Sequence, residues 1–308
     1  MVDLDTFRTT VYGMGDAFCP SPLPPEVHSG PRASLSRSEV ITLGLFGQWA
    51  CFPGERAFYR YAQQHLRAAF PTLPHRTQFT RLRRRHDPGL IACCLPRVDL
   101  VDGRPARYEA LESSAVPPRD ATRRGGGWWP GLVDIGWRNR LGWDDGVPLL
   151  MAVNPRGVIT GFGFGPASTE EQALAETCFA VRQPPDSRGP SVGRRALGAY
   201  LSDQGFARQA TPARWWHGYG AQVSCPPKRR SRQPWSTRRR RWLAGVRQIV
   251  ETVDEKVHHT FRRSHERPHA LTGFQPRLAA KMTWHTFCIW LNEPLGRPRL
   301  AVADLVDW

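Results

Sequence analysis

Three acidic residues in this sequence stand where carboxylates could bind metal ions and act on phosphate esters. Glu112 and Asp203 each end a short apolar segment, and Glu251 lies within a segment of helical periodicity. Two carboxylates at strand ends and a third on a helix can hold two Mg²⁺ about 3.5–4 Å apart, a clamp for in-line displacement at phosphorus. Glu112, Asp203 and Glu251 are therefore the candidate catalytic and metal-ligating residues, with Mg²⁺ expected and Mn²⁺ able to replace it. Taken singly, Asp203 is also typical of a turn, and Glu251 of an exposed helix.

The elements that must position these acids are predicted from periodicity. Residues 108–112 and 198–202 read as strands that end at Glu112 and Asp203, and a helix follows residue 242. Residues 143–154 and 157–165 predict a hairpin, and residues 275–291 a closing helix. Strands that first form a hairpin and then alternate with helices predict an α/β fold, a mixed sheet flanked by helices. We assign residues 101–308, closing helix included, to this core.

The first hundred residues have a different pattern. Residues 36–39 form a capping box, and three short helical segments follow, the third carrying Arg81, Arg83, Arg84 and Arg85. Residues 1–100 are therefore predicted to be an all-helical region similar to a helix-turn-helix DNA-binding arrangement. A small helical domain with a solvated basic face explains the same pattern, and the sequence alone does not separate the two.

The charge balance favours a polyanionic partner. The chain has 43 Lys and Arg against 27 Asp and Glu, a net charge of +16, and its pI is about 10.5. Such an excess is typical of nucleic-acid binding, in which each neutralised phosphate releases counterions. The main basic run, residues 228–242, also contains Trp235 and Trp242, whose rings could stack on bases. The alternative is that this run is a solvated loop that does not bind DNA. The candidate DNA-binding residues are Lys228, Arg229, Arg238, Arg239, Arg240, Arg241, Arg247, Arg123 and Arg124.

Nothing in the sequence predicts a membrane segment or an export signal. The longest apolar run covers residues 147–153, whereas a membrane span needs about 20 residues. The first five residues carry two aspartates and no basic residue, and the seven cysteines contain no C-x-x-C pair. These features predict reduced thiols and a cytoplasmic location, associated with the nucleoid if the partner is DNA.

Six segments of the chain resemble bacterial insertion-sequence transposases of the DDE type. The resemblance extends from about residue 35 to the end and implies an RNase H-like core, two divalent ions, and cleavage and joining of DNA at transposon ends. Transposition on paired ends further implies a homodimer. The segments are residues 111–117, 134–143, 158–163, 225–229, 247–253 and 287–292.

Within this resemblance, Asp203 matches the second acid, Glu251 the third, and Arg247 the arginine one turn before it. Glu112 stands where the family has Asp, and Ala244 and His258 stand where some relatives have Tyr and Lys. One extra C–C bond moves the Glu112 carboxylate outward by about 1.5 Å, whereas a catalytic constellation tolerates roughly 0.5 Å. We therefore expect impaired strand cutting. Asp120 and Asp134 are nearby acids that could replace it.

The resulting expectation is a DNA transposase that acts by two-metal phosphoryl transfer. A non-catalytic DNA-binding protein derived from a transposase is the alternative from another class. A metal-dependent nuclease without strand transfer would use the same three acids, Glu112, Asp203 and Glu251.

Overall fold

The chain is described by a computed structural model whose contacts divide it into two units. Unit 1 comprises Met1–Arg97 and Thr260–Trp308, and unit 2 comprises Val98–His259. The described residues are 2–18, 33–50, 52, 54–92, 106–116, 137–139, 142–144, 147–182, 198–206, 211–227, 231, 234–261, 270–303 and 305–307.

The described residues form an α/β protein. Its helices are α1 Leu4–Phe18, α2 Arg37–Trp49, α3 Glu55–His65, α4 Arg76–Ala92, α5 Glu171–Arg182, α6 Thr211–Tyr219, α7 Thr237–His259 and α8 Leu271–Asn292, with a 3₁₀ turn at Gln204–Phe206. Its strands are β1 Val2–Asp3, β2 Tyr108–Val116, β3 Trp137–Asn139, β4 Gly142–Asp144, β5 Val147–Val153, β6 Ile159–Phe164, β7 Gly198–Leu201, β8 Ala221–Ser224 and β9 Val306–Asp307.

Unit 1 is built from helices α1 to α4 and α8, with β1 and β9 paired in parallel. The predicted capping box begins α2: the Glu39 amide donates to Ser36 Oγ over 3.2 Å, and the Ser36 amide donates to Glu39 Oε2 over 2.6 Å. The core holds an aromatic cluster in which the rings of Phe7, Trp49 and Trp284 lie 5.0–5.3 Å apart.

Helix α8 belongs to unit 1, which differs from the predicted boundary at residue 101. The sequence division placed the C-terminal helices with the sheet, in residues 101–308. In the structure, Trp284 of α8 is buried and its indole Nε1 donates to the Leu45 carbonyl over 2.7 Å. The apolar residues of α8 are therefore buried against the N-terminal helices, a long-range pairing that periodicity does not specify.

Unit 2 contains a mixed five-stranded sheet in the order β6-β5-β2-β7-β8. Strands β2, β5 and β6 are antiparallel neighbours, whereas β7 runs parallel to both β2 and β8. The predicted hairpin turn is present: Asn154 Oδ1 accepts from the amides of Arg156 and Val158, and Gly157 has a φ of 81°. This confirms the predicted mixed sheet flanked by helices.

The two faces of the sheet are covered by different helices. Because side chains alternate along a strand, Leu111 points to one face and its neighbour Glu112 to the other. Leu111 packs in a core with Phe179 of α5 and Trp215 of α6. Ser114, on the same face as Glu112, donates to Asp254 of α7 over 3.0 Å. The face that carries Glu112 therefore lies under α7.

Candidate active site

The parallel pairing of β2 with β7 brings Glu112 and Asp203 to the same level of the sheet. Tyr108 pairs with Ala199 and Ala110 with Leu201, the last pair of the two strands. The same offset of 91 residues, extended by two positions, would set Glu112 opposite Asp203. Paired residues of neighbouring strands point to the same face. Asp203 is the second residue after β7, and its Oδ1 accepts from the Gly205 amide over 2.9 Å. The two acids therefore come together although they are far apart in the sequence.

Helix α7 presents Arg247, Glu251 and Asp254 to this part of the sheet. Spacings of four and three residues put side chains on one face of a helix. The Arg247 guanidinium donates through Nη2 to Glu112 Oε2, and its Nη1 lies 3.9 Å from Glu251 Oε1. Arg247 thus lies between Glu112 and Glu251, with Glu251 half exposed and Glu112 more enclosed. Asp203 is close enough to Glu112 for its charge to raise the pKa of the Glu112 carboxyl.

The electrostatics of the cluster are dominated by Glu112. The pKa of the Glu112 carboxyl is raised from 4.5 to about 7, and burial is the largest cause. The Arg247 guanidinium lowers this pKa, whereas negative charge on Asp203, Asp254 and Glu251 contributes to the rise. One arginine therefore does not compensate the acids that surround it. Such a deficit of positive charge favours either a proton on Glu112 or an additional cation.

Glu171, at the start of α5, is an acid of this cluster that the sequence analysis missed. A Cβ added at Gly205 would come within 2.0 Å of Glu171 Oε2 and 3.1 Å of Asp203 Oδ1, so both carboxylates border the same glycine. Burial raises the pKa of Glu171, as does the charge of Asp203. In the sequence, Glu171 looked only like part of a helix start, and no spacing linked it to Asp203.

The donor chemistry of the cluster fits a hard divalent cation, since carboxylate oxygens are the ligands that Mg²⁺ prefers. Glu112, Asp203 and Glu251 would hold it. Within the described ranges, no three Asp, Glu, His or Cys side chains converge closely enough to form a metal-binding group in this arrangement. The positive charge between Glu112 and Glu251 is instead the Arg247 guanidinium.

A basic surface begins where α7 begins. Ser236 caps the helix, its Oγ accepting from the Arg239 amide over 3.3 Å. The guanidinium of Arg239 lies 3.8 Å from the centre of the Trp235 ring, and Arg240 Nε donates to the Trp235 carbonyl over 3.1 Å. Four consecutive exposed arginines, 238–241, occupy the positive end of the helix dipole, where anions are stabilised and cations are not. This surface is therefore suited to phosphate groups.

Several candidates fall outside the described residues. They are the DNA-binding candidates Arg123, Arg124, Lys228 and Arg229, and the alternative acids Asp120 and Asp134.

Together these features define a class: an α/β unit with an acidic cluster on a mixed sheet, beside an arginine-rich helix start. No protein-family model matches the chain, and no curated protein or solved structure matches it either. Among the described helices, none is long and apolar enough to cross a membrane.

Proposed function

We propose that this protein is a metal-dependent DNA transposase that cuts and joins insertion-sequence ends. One observation carries the proposal: Glu112 of β2 lies near Asp203, just beyond β7, and contacts Arg247 of α7, which lies 3.9 Å from Glu251. Acids on two neighbouring strands and a third on a helix form the constellation that the resemblance implies. The mixed sheet flanked by helices supports the RNase H-like core.

The substrate is DNA, and the charges of unit 2 support this assignment. The exposed arginines 238–241 lie on the same helix as Arg247 and Glu251. Contacts from arginine to phosphate position a duplex without reading its sequence. In unit 1, the exposed Arg81, Arg84 and Arg85 of α4 are proposed to make the second DNA contact. DNA as partner implies a cytoplasmic, nucleoid-associated protein, and paired ends imply a homodimer.

In the proposed mechanism, Glu112, Asp203 and Glu251 would hold the catalytic cations. Two bound Mg²⁺ would supply Lewis-acid activation of the attacking hydroxyl and stabilisation of the leaving oxygen. Water attacks a phosphodiester at the transposon end, which leaves a 5′-phosphate on one side and a 3′-hydroxyl on the transposon end. This 3′-hydroxyl then attacks a phosphodiester of the target, forms a new phosphodiester with the target 5′ end and releases a target 3′-hydroxyl. Arg247 exchanges its contact with Glu112 for a phosphate oxygen. Its Nε has no hydrogen-bond partner among the described residues, so it has a donor to offer.

Removal of Asp203 tests the proposal. The purified protein is incubated with Mg²⁺ and a supercoiled plasmid carrying its coding frame with the flanking DNA, and nicked and linear products are measured. Asp203→Ala should abolish the products, because one of the three acids that would hold the cations is lost. Glu170→Gln, which removes an exposed acid one residue before Glu171, should leave the products unchanged. Equal cutting by Asp203→Ala and the unchanged protein would contradict a catalytic site built on this acid.

A non-catalytic DNA-binding protein is the second candidate, and the pairing of Arg247 with Glu112 favours it. A first acid that is one methylene longer and already neutralised by an arginine is a feature of a site that has lost its cation. Under this alternative, Asp203→Ala leaves both DNA binding and the phenotype in cells unchanged. The transposase proposal requires DNA binding to persist while cutting is lost.

A further inference from the structure

A cavity of about 310 Å³ opens beside the start of α7, within unit 2. Its apolar walls are Pro226, Pro227, Pro234, Trp235 and Leu243, and two arginines, Arg240 and Arg247, also line it. Gln204, the residue after Asp203, lies on the same wall and donates to the Pro227 carbonyl over 2.7 Å. The cavity is therefore adjacent to the acidic cluster and shares Arg247 with it.

The lining selects for a ligand that is both flat and anionic. Proline rings and an indole offer apolar faces on which a planar ring can stack, and the two guanidinium groups attract negative charge. Arg239 covers part of the Trp235 ring by a cation–π contact, and Trp235 still borders the cavity. A base entering the cavity would thus stack on an indole that is already fixed in place. A free phosphate would not need the apolar walls.

We propose that this cavity binds one unpaired nucleotide of a DNA strand, its base among Trp235 and the prolines and its phosphate on Arg240 or Arg247. The inference rests on the proposed function, which makes DNA the substrate. A volume near the lower end of ligand sites, roughly 300–1,000 Å³, admits one nucleotide and excludes a duplex. Enzymes that act within a duplex commonly extrude a nucleotide into such a pocket. The protein should therefore prefer DNA with a splayed or single-stranded segment next to the cut.

The test separates the base from the phosphate. Fluorescence anisotropy without added metal compares two labelled strands of about twelve nucleotides, a usual site length for strand binding. One strand is oligothymidine, and the other has the same backbone with abasic sugars. Trp235→Ala should weaken binding of oligothymidine by about 5- to 150-fold, the loss expected for one stacked base. Binding of the abasic strand should not change, because its phosphates are the same. Trp235→Phe, which keeps an aromatic face, should retain most of the preference for thymidine.

Two further variants test whether the effect is specific to Trp235 and whether it requires free space in the cavity. Trp216→Ala removes a more exposed tryptophan, from α6, that does not line the cavity, and both strands should bind as they do to the unchanged protein. Ala244 is an exposed helix residue that lines the cavity, so Ala244→Leu fills the space without altering charge or helix propensity. Ala244→Leu should reproduce the loss seen with Trp235→Ala.

The outcomes distinguish this inference from the function on which it rests. Trp235→Ala and Ala244→Leu could weaken the binding of both strands by the same factor, or leave the binding of both unchanged. Either result would mean that the cavity binds no base, and the inference would be overturned while DNA binding stands. If the unchanged protein binds neither strand nor a duplex, the DNA assignment itself fails, and the inference with it. A loss confined to oligothymidine supports both.

Discussion

The proposed activity depends most on the Glu112 carboxylate. It lies one methylene further from β2 than an aspartate carboxylate would, and at this length it reaches the Arg247 guanidinium. The same cluster raises the pKa of Glu112 to about 7. Charge and reach therefore both work against Glu112 as a cation ligand, because protonation or pairing with arginine removes the negative charge that the ligand must supply.

Shortening this side chain should restore activity. Glu112→Asp retracts the carboxylate by about 1.5 Å towards the level of Asp203 and away from Arg247. Since a displacement of about 1 Å at a catalytic centre costs on the order of 100-fold in rate, we expect cutting to rise by about that factor. Product formation on the supercoiled plasmid measures it. Glu251→Asp is the matched control and should lower the rate, and identical rates for Glu112→Asp and the unchanged protein would contradict the argument.

At the residue scale, the sequence predicted the proximity of two side chains well when both belong to one helix or strand. It predicted proximity poorly when the two side chains belong to different elements. Arg247 and Glu251 are one helical turn apart, so their proximity followed from spacing. The pairing of Arg247 with Glu112 depends on how α7 lies on the sheet, and no spacing encodes it. Glu171 was missed for the same reason, because its carboxylate and that of Asp203 come to lie beside Gly205 only when the chain is folded.

At the scale of elements, a buried ion pair fastens α5 to the sheet. Arg182, the last residue of α5, is 2% exposed and donates to both carboxylate oxygens of Glu109 on β2, over 2.7 and 3.1 Å. Its Nη1 also lies 3.3 Å from the Tyr200 hydroxyl of β7. This pair lies on the face of the sheet opposite Glu112, where it holds β2 and β7 in the register that the site requires.

Removing one member of this pair should destabilise unit 2 strongly. Arg182→Met leaves Glu109 with an uncompensated charge in a mostly enclosed position, which costs about 3–5 kcal/mol. The free energy of unfolding in urea measures the loss. The double variant Arg182→Met, Glu109→Leu should recover most of it, because an apolar pair needs no desolvated charge. A single variant as stable as the unchanged protein would show that the pair does not hold the strands together.

Most elements were predictable, although the helices α1 and α6 were missed and strand β2 was predicted too short. Strand β2 was expected to end at residue 112, because the following Ser113, Ser114 and Ala115 lack an apolar pattern. It continues to Val116 because β5, whose seven residues are all buried, pairs with it through Ala115 and Val116. A neighbouring strand can thus extend an element beyond its own sequence signal.

At the scale of the whole molecule, the chain closes unit 1 with its C-terminal helix. The predicted N-terminal region, residues 1–100, lacks α8 and therefore Trp284, whose ring lies 5.0 Å from Trp49 and 5.3 Å from Phe7. Periodicity indicated α2, α3, α4 and α8 but missed α1, Leu4–Phe18. Which helices share a core depends on contacts between residues more than 200 positions apart, such as Trp284 and Leu45.

A truncated chain tests this division. Residues 1–100 alone should show no cooperative thermal unfolding by circular dichroism, because the core around Phe7 and Trp49 stays open. Residues 1–97 joined to 260–308 through a Gly/Ser linker should regain a cooperative transition. A sharp transition in the shorter fragment would support the boundary expected from sequence instead.

Helix α7 has a mechanical consequence, because it carries both the arginines 238–241 and the acid Glu251 on one continuous backbone. The separation along the axis between Arg240 and Glu251 is fixed by the helical rise at about 16 Å. A nucleic-acid strand running alongside the helix would contact Arg240 about five nucleotides from a phosphate held at Glu251. Because the helix is continuous, this spacing is constant and would change only if residues were inserted into the helix or removed from it.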